Sequence, residues 1–169
     1  KILLALMKRL LLSLLVTTAN FLCFSQGKSQ FANDSVHLVY YATDPAYLRA
    51  ADAPLAGQGV WTGAMPNGVT LVADLYAGTS SSSLNLMSTA TFSSIAIGRW
   101  SSVNVILQDI QGGSPVWFEI QVRDSAFGTA ALSLAGGSYF GSSGLFTAVP
   151  STGVAYFPLY APSCPIFST

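Results

Sequence analysis

Charge is what this sequence has least of. Charged residues make up 8% of the 169-residue chain, against a usual share of about 25%. Seven Lys and Arg balance seven Asp and Glu, and three of the bases, Lys1, Lys8 and Arg9, crowd the N-terminus. From residue 26 onward only Lys28, Arg49, Arg99 and Arg123 face all seven acids. Single cations scattered in this way form no stripe that could neutralise phosphates, so nucleic acid is excluded as a partner. Histidine and cysteine are equally scarce: His37, Cys23 and Cys164 are all there is. That is too few ligands for a zinc framework. His37, read as lying within a strand, has no oriented acid and no G-x-S-x-G nucleophile turn to serve.

The acids suggest little chemistry of their own. An EF-hand pattern is missing, which leaves Asp44 or Asp52 as the loop carboxylates that could hold calcium. A glycosidase needs two carboxylates flanking a cleft, and Glu119 with Asp109 or Asp74 is the pair to nominate. Glu119, however, alternates with Gln121 and Arg123, the pattern of an ordinary solvated strand face. No catalytic residue, metal ligand or cofactor is therefore assigned, and the chain is expected not to be an enzyme. Asn33-Asp34-Ser35 matches a glycosylation sequon on a stretch that reads as exposed.

Residues 1–25 have the features of an export leader. Met7-Lys8-Arg9 precede an apolar run over residues 10–16, with Met7 as the expected true start. That run is far shorter than the ~20 residues that span a bilayer. The protein is thus expected to be secreted, without a stable membrane anchor after processing. Cleavage after Ala19 would leave Cys23 free to pair with Cys164, closing a long loop worth up to about 5 kcal/mol. Cleavage after Ser25 would leave Cys164 alone.

Residues 26–169 are long enough for one domain with one core, which commonly forms at ~100–200 residues. After a polar stretch over residues 26–35, the β-formers of residues 36–41 predict a first strand, ending at Thr43-Asp44-Pro45. A short helical turn before Pro54 and a loop over residues 57–68 follow. Residues 69–76 predict a strand buried on both sides. Residues 84–97 alternate imperfectly, as a bulged strand does. Residues 101–110 and 116–123 read as the two arms of a hairpin joined through Gly112 and Gly113. In the second arm Val116, Phe118, Ile120 and Val122 share one face, and Trp117, Glu119, Gln121 and Arg123 the other. Residues 125–135 form the one good helical window, ended by Gly136-Gly137. Strands over 145–149 and 154–159 close the chain. The prediction is a mainly β protein: a single β-sandwich, Ig-like or jelly-roll-like, of about seven or eight strands with one short helix and a strand-like C-terminal tail.

Four segments taken in order carry a resemblance: Leu71-Val72-Ala73-Asp74-Leu75-Tyr76-Ala77-Gly78, then Gly98-Arg99-Trp100, then Phe118-Glu119-Ile120-Gln121-Val122-Arg123-Asp124, then Gly137-Ser138-Tyr139-Phe140-Gly141-Ser142-Ser143-Gly144-Leu145-Phe146. This order resembles a group of uncharacterised secreted β-rich proteins of Verrucomicrobia-type bacteria, many of which end in a PEP-CTERM sorting tail. The likeness spans about residues 55–150 and implies export and a β-rich fold, with no known catalytic residues. Residues 161–167 lack the Pro-Glu-Pro motif, so the sorting tail is not part of the likeness here.

A neutral, hydroxyl-rich surface has little self-repulsion to hold copies apart. The leading expectation is a non-enzymatic extracellular structural protein that self-associates, its apolar terminal segments over residues 21–24 and 154–167 adding as strands to a neighbour's open sheet edge, as in a filament, sheath or surface layer. The alternative is a carbohydrate-binding module whose Trp61, Trp100 and Trp117 stack on a polysaccharide. The same three tryptophans serve equally as core or interface anchors.

Overall fold

The computed structural model describes residues 25–168; the expected leader, with Met7 and Cys23, lies outside them. Among the described residues are strands β1 (Gln26–Phe31), β2 (Val39–Tyr41), β3 (Leu71–Ser80), β4 (Ser83–Thr91), β5 (Val103–Gln111) and β6 (Val116–Asp124). Helix α1 (Ala130–Ala135) follows, then β7 (Phe140–Ser142), β8 (Phe146–Ala148), β9 (Phe157–Pro158) and β10 (Cys164–Phe167). The smaller sheet has the order β5-β1-β9; the larger runs β2-β10-β7-β6-β3-β4, with β8 also paired to β6. The protein is mainly β, a sandwich with one short helix as its alternation predicts, but of ten strands instead of seven or eight.

The core is organised by β6. Its inward residues Val116, Phe118, Ile120 and Val122 are at most 1% exposed. They join one buried cluster with Phe31 of β1, Leu71, Ala73 and Leu75 of β3, and Val105, Leu107 and Ile110 of β5. Removing each such side chain from water contributes roughly 1.5–3 kcal/mol. β3 lies between β4 and β6 and is buried on both sides from Leu71 to Leu75. The bulge expected in the next strand is at Met87, where the ladder steps from Leu75 opposite Ser88 to Tyr76 opposite Leu86.

The hairpin expected of residues 101–123 does not form. β5 pairs antiparallel with β1, from Phe31 opposite Val103 to Gly27 opposite Leu107, whereas β6 pairs with β3. The two arms therefore sit in different sheets, and residues 112–115 cross between them. The reason is that each arm has one strongly apolar row. In opposite sheets, both rows turn into the one core between them; side by side in one sheet, both would need a further cover. The crossing is tied to other segments: Gly112 N donates to Ser25 O and Gly113 N to Pro150 O. Gly113 takes φ +83°, a conformation glycine adopts without steric cost. Asp109, at φ +57°, breaks the alternation of β5 so that Ile110, not Asp109, follows Leu107 into the core.

Other boundaries shift for local reasons. The polar stretch after residue 25 contains β1, central in its sheet, with Gly27, Ser29 and Phe31 buried in alternation. Gly27 has to be small: a Cβ there would lie 2.9 Å from Pro150 Cβ. The strand expected over 36–41 shortens to Val39–Tyr41, and Val36 is left exposed. The helix starts only after Thr129, whose side chain caps it by accepting from Leu132 N, because Asp124 and Arg123 hold the preceding turn through Ala126 N and Phe127 O. The last expected strand contracts to β9, which pairs parallel with β1.

Phe118 is fully buried at the centre of this core. Truncation of Phe118 to Ala is expected to cost about 3–5 kcal/mol, measured by urea unfolding against wild type. A loss below about 1 kcal/mol, the range of a surface position, would contradict the packing described.

Candidate functional site

The residues singled out in the sequence do not gather into one site. His37 lies in a bend before β2, not within a strand, and its Nδ1 is 2.9 Å from Asp34 Oδ1. The same oxygen accepts from Val36 N and His37 N, and these bonds, the one to Val36 foremost, hold the Asp34 carboxyl below its ordinary value. The pair clasps a turn. Asn33 is buried instead of exposed, with Nδ2 donating to His37 O and Gly98 O while Oδ1 accepts from Trp100 N. An amide engaged on both atoms inside the fold cannot accept a glycan.

The acids serve as structural ties. Asp44 caps a short 3-10 turn through Ala46 N. Asp52 is buried and accepts from the hydroxyls of Tyr139 (2.8 Å) and Ser168 (2.7 Å), with Arg49 lying over the Tyr139 ring. Among the described residues no three His, Cys, Asp or Glu side chains are grouped so as to hold a metal. Asp74 is completely buried; Arg123 donates to it from Nε at 2.6 Å and Nη2 at 3.3 Å, and Thr89 Oγ1 donates at 2.6 Å. Burial of this pair is sustained only because the remaining carboxylate and guanidinium positions find partners, among them Phe127 O. Asp109 belongs to the other sheet and is exposed. Glu119 therefore faces neither acid as a free catalytic partner; it accepts from Ser142 Oγ at 2.6 Å.

The tryptophans occupy three different settings. Trp100 is a core residue wedged against Phe31 and Phe92, with ring centroids 5.0 and 6.3 Å away. Trp61 is half exposed and lies beside Gly63. Trp117 projects from the outward face of β6 at 36% exposure, with Gly78 and Thr147 as its cross-strand neighbours. A single platform of all three is not built. Cys164 is buried at the start of β10, and burial pushes its thiol up to about 12. Its expected partner Cys23 lies outside the described residues.

Sequence reading missed the sheet edges. The outer edge of β2 is covered by residues 57–60 and 98: Tyr41 N donates to Gln58 O, Val60 N to Val39 O and Val39 N to Gly98 O. Among the described residues the outer edge of β4 has no strand beside it. Between β4 and β5 runs an open cleft of about 290 Å³, lined by Gly78, Ser83, Asn85, Met87, Gln108 and Asp109 among others. No charged residue occurs from position 75 to 98, a segment that contains all of β4. The signal in the sequence was this charge gap. No protein-family model, curated protein or solved structure matches the chain.

Burial raises Tyr41 to about 12 and raises Tyr139 as well, there with help from its bond to Asp52. Unfolding would release these hydroxyls and the Cys164 thiol to ordinary values of 10.0 and 9.0. The folded state then holds protons that the unfolded state gives up, so stability should be full below pH 9 and fall as pH rises toward 12. Thermal melts from pH 7 to 12 test this, and a melting temperature that stays level across that range would refute it. At pH 8 Cys164 should resist a thiol reagent in the native protein and react after denaturation without reductant; silence after denaturation too would indicate a disulfide.

Proposed function

We propose that this protein is a secreted, non-enzymatic structural protein whose copies associate edge to edge through β4. The observation that supports this reading most is the open, uncharged edge of that nine-residue strand. Proteins that stay apart blunt such edges with lysine, proline, inward-pointing charge or a covering loop. β4 has none of the first three; it has the bulge at Met87 and, at its C-terminal end only, a covering segment whose Ser101 N donates to Thr91 O. Its exposed Ser, Asn and Thr side chains can hydrogen-bond a copy without repelling it.

The placement of the other strands narrows the mode of addition. β1 lies between β5 and β9, and β10 between β2 and β7. Neither can be donated to a neighbour without dismantling its own sheet. β5 is the other long edge strand, but it carries Asp109. Strand addition is accordingly assigned to the uncharged β4 of each copy, a self-complementary contact that closes as a two-fold pair. Export is inferred from the charged and apolar pattern of residues 7–16, and the structural role from export together with this edge.

Asn85 is exposed and stands opposite Ala77 on the inward side of the edge. The substitution Asn85→Lys places there the kind of charge that guards natural edges. Wild type is expected to associate as its concentration rises, read by light scattering and electron microscopy, and N85K to stay monomeric with its stability changed by no more than about 0.5 kcal/mol. Wild-type protein that stays monomeric at every concentration, or an N85K variant that assembles undiminished, would defeat the proposal.

A further inference from the structure

We infer that the outward face of the larger sheet around Trp117 is a binding site for an extended, uncharged polysaccharide. This inference does not depend on association through β4. Trp117 would be its stacking residue, with Glu119 and Gln121 as hydrogen-bonding residues and Tyr76 as a second aromatic surface.

The alternation of β6 puts Trp117, Glu119 and Gln121 in one row on the outside, spanning about 13 Å at the usual rise per residue. Tyr76 stands opposite Glu119 on β3, and Leu86 opposite Tyr76 on β4. Trp117 is in register with Gly78 on one side and Thr147 on the other. Neither neighbour can cover an indole, and the ring keeps 36% exposure on a strand paired on both sides. Gly78 itself is required by the backbone, since a Cβ there would collide with Ser83 O. Trp117 and Tyr76 pack against no other aromatic ring among the described residues.

The polar groups of this face select the occupant. Arg123, the one cation in the row, is committed to Asp74 and Phe127 O, so nothing free remains to hold an anionic chain. Ser142 donates to Oε1 of Glu119, which orients the carboxylate and leaves its other oxygen as an acceptor. The Gln121 amide has no hydrogen-bond partner among the described residues and offers both a donor and an acceptor. A protein surface laid over Glu119 would strip water from a carboxylate without replacing its bonds, which is costly. Sugar hydroxyls replace those bonds, while the apolar face of a sugar ring covers the indole. A row of aromatic, acceptor and amide groups along a strand therefore suits a linear, neutral glycan lying along β6.

The test is titration of the folded protein with cellohexaose and maltohexaose, two neutral hexaoses of different linkage, followed by calorimetry and by amide NMR shifts. At least one should bind, with the shifts concentrated on Trp117, Glu119, Gln121 and Tyr76. Trp117→Ala should weaken it by about tenfold or more, as loss of a central aromatic anchor does, and Trp61→Ala should leave it unchanged. Circular dichroism of W117A, and the wild-type shift map, keep the result readable should that variant fold poorly. Absence of binding by both hexaoses, shifts confined to other surfaces, or unaltered affinity in folded W117A would overturn the inference. The same titration on N85K separates the two ideas: binding there without assembly supports this site whatever the fate of the edge.

Discussion

The fold depends on one buried cluster filled from both sides by strands that are neighbours in sequence but lie in opposite sheets. Val116, Phe118, Ile120 and Val122 on β6 and Val105, Leu107 and Ile110 on β5 all belong to it. Because the chain turns from one sheet into the other at residues 112–115, every other strand has to find its partner at long range. β1 comes to β5 from the start of the described chain, and β3 to β6 from some fifty residues away along the sequence. Such non-local pairings carry a chain-closure cost that only the shared core offsets.

This arrangement explains which parts were legible in the sequence. Period-2 alternation reports the face of a residue but not its strand's partner, so the inward and outward rows of β6 were read correctly while the hairpin was not. β3 was legible because strand formers fill both of its faces. β1 was not, because two of its three buried positions, Gly27 and Ser29, are small and look like loop residues. Residue type alone could not separate Trp100, in the core, from Trp61 and Trp117, at the surface. Asn33 and Asp52 looked available for modification or metal and prove to be bonded within the fold.

The charge scarcity goes further than composition suggests. Three of the seven acids, Asp52, Asp74 and Asp124, are buried. Arg123 is mostly buried against Asp74, and Arg99 donates to the Asn33 carbonyl. Beside exposed apolar side chains, aliphatic more often than aromatic, the surface thus presents mainly uncharged polar groups, hydroxyls and amides. Such groups exchange hydrogen bonds readily with like surfaces and with sugars, which is the common ground of the edge contact and the outward face of β6.

The placement of β1 and β10 in the interiors of different sheets has a mechanical consequence. Tension between these two strands cannot unzip a peripheral hairpin one bond at a time. It has to drag strands bonded on both sides past their neighbours and slide one layer over the other across the greasy seam between them.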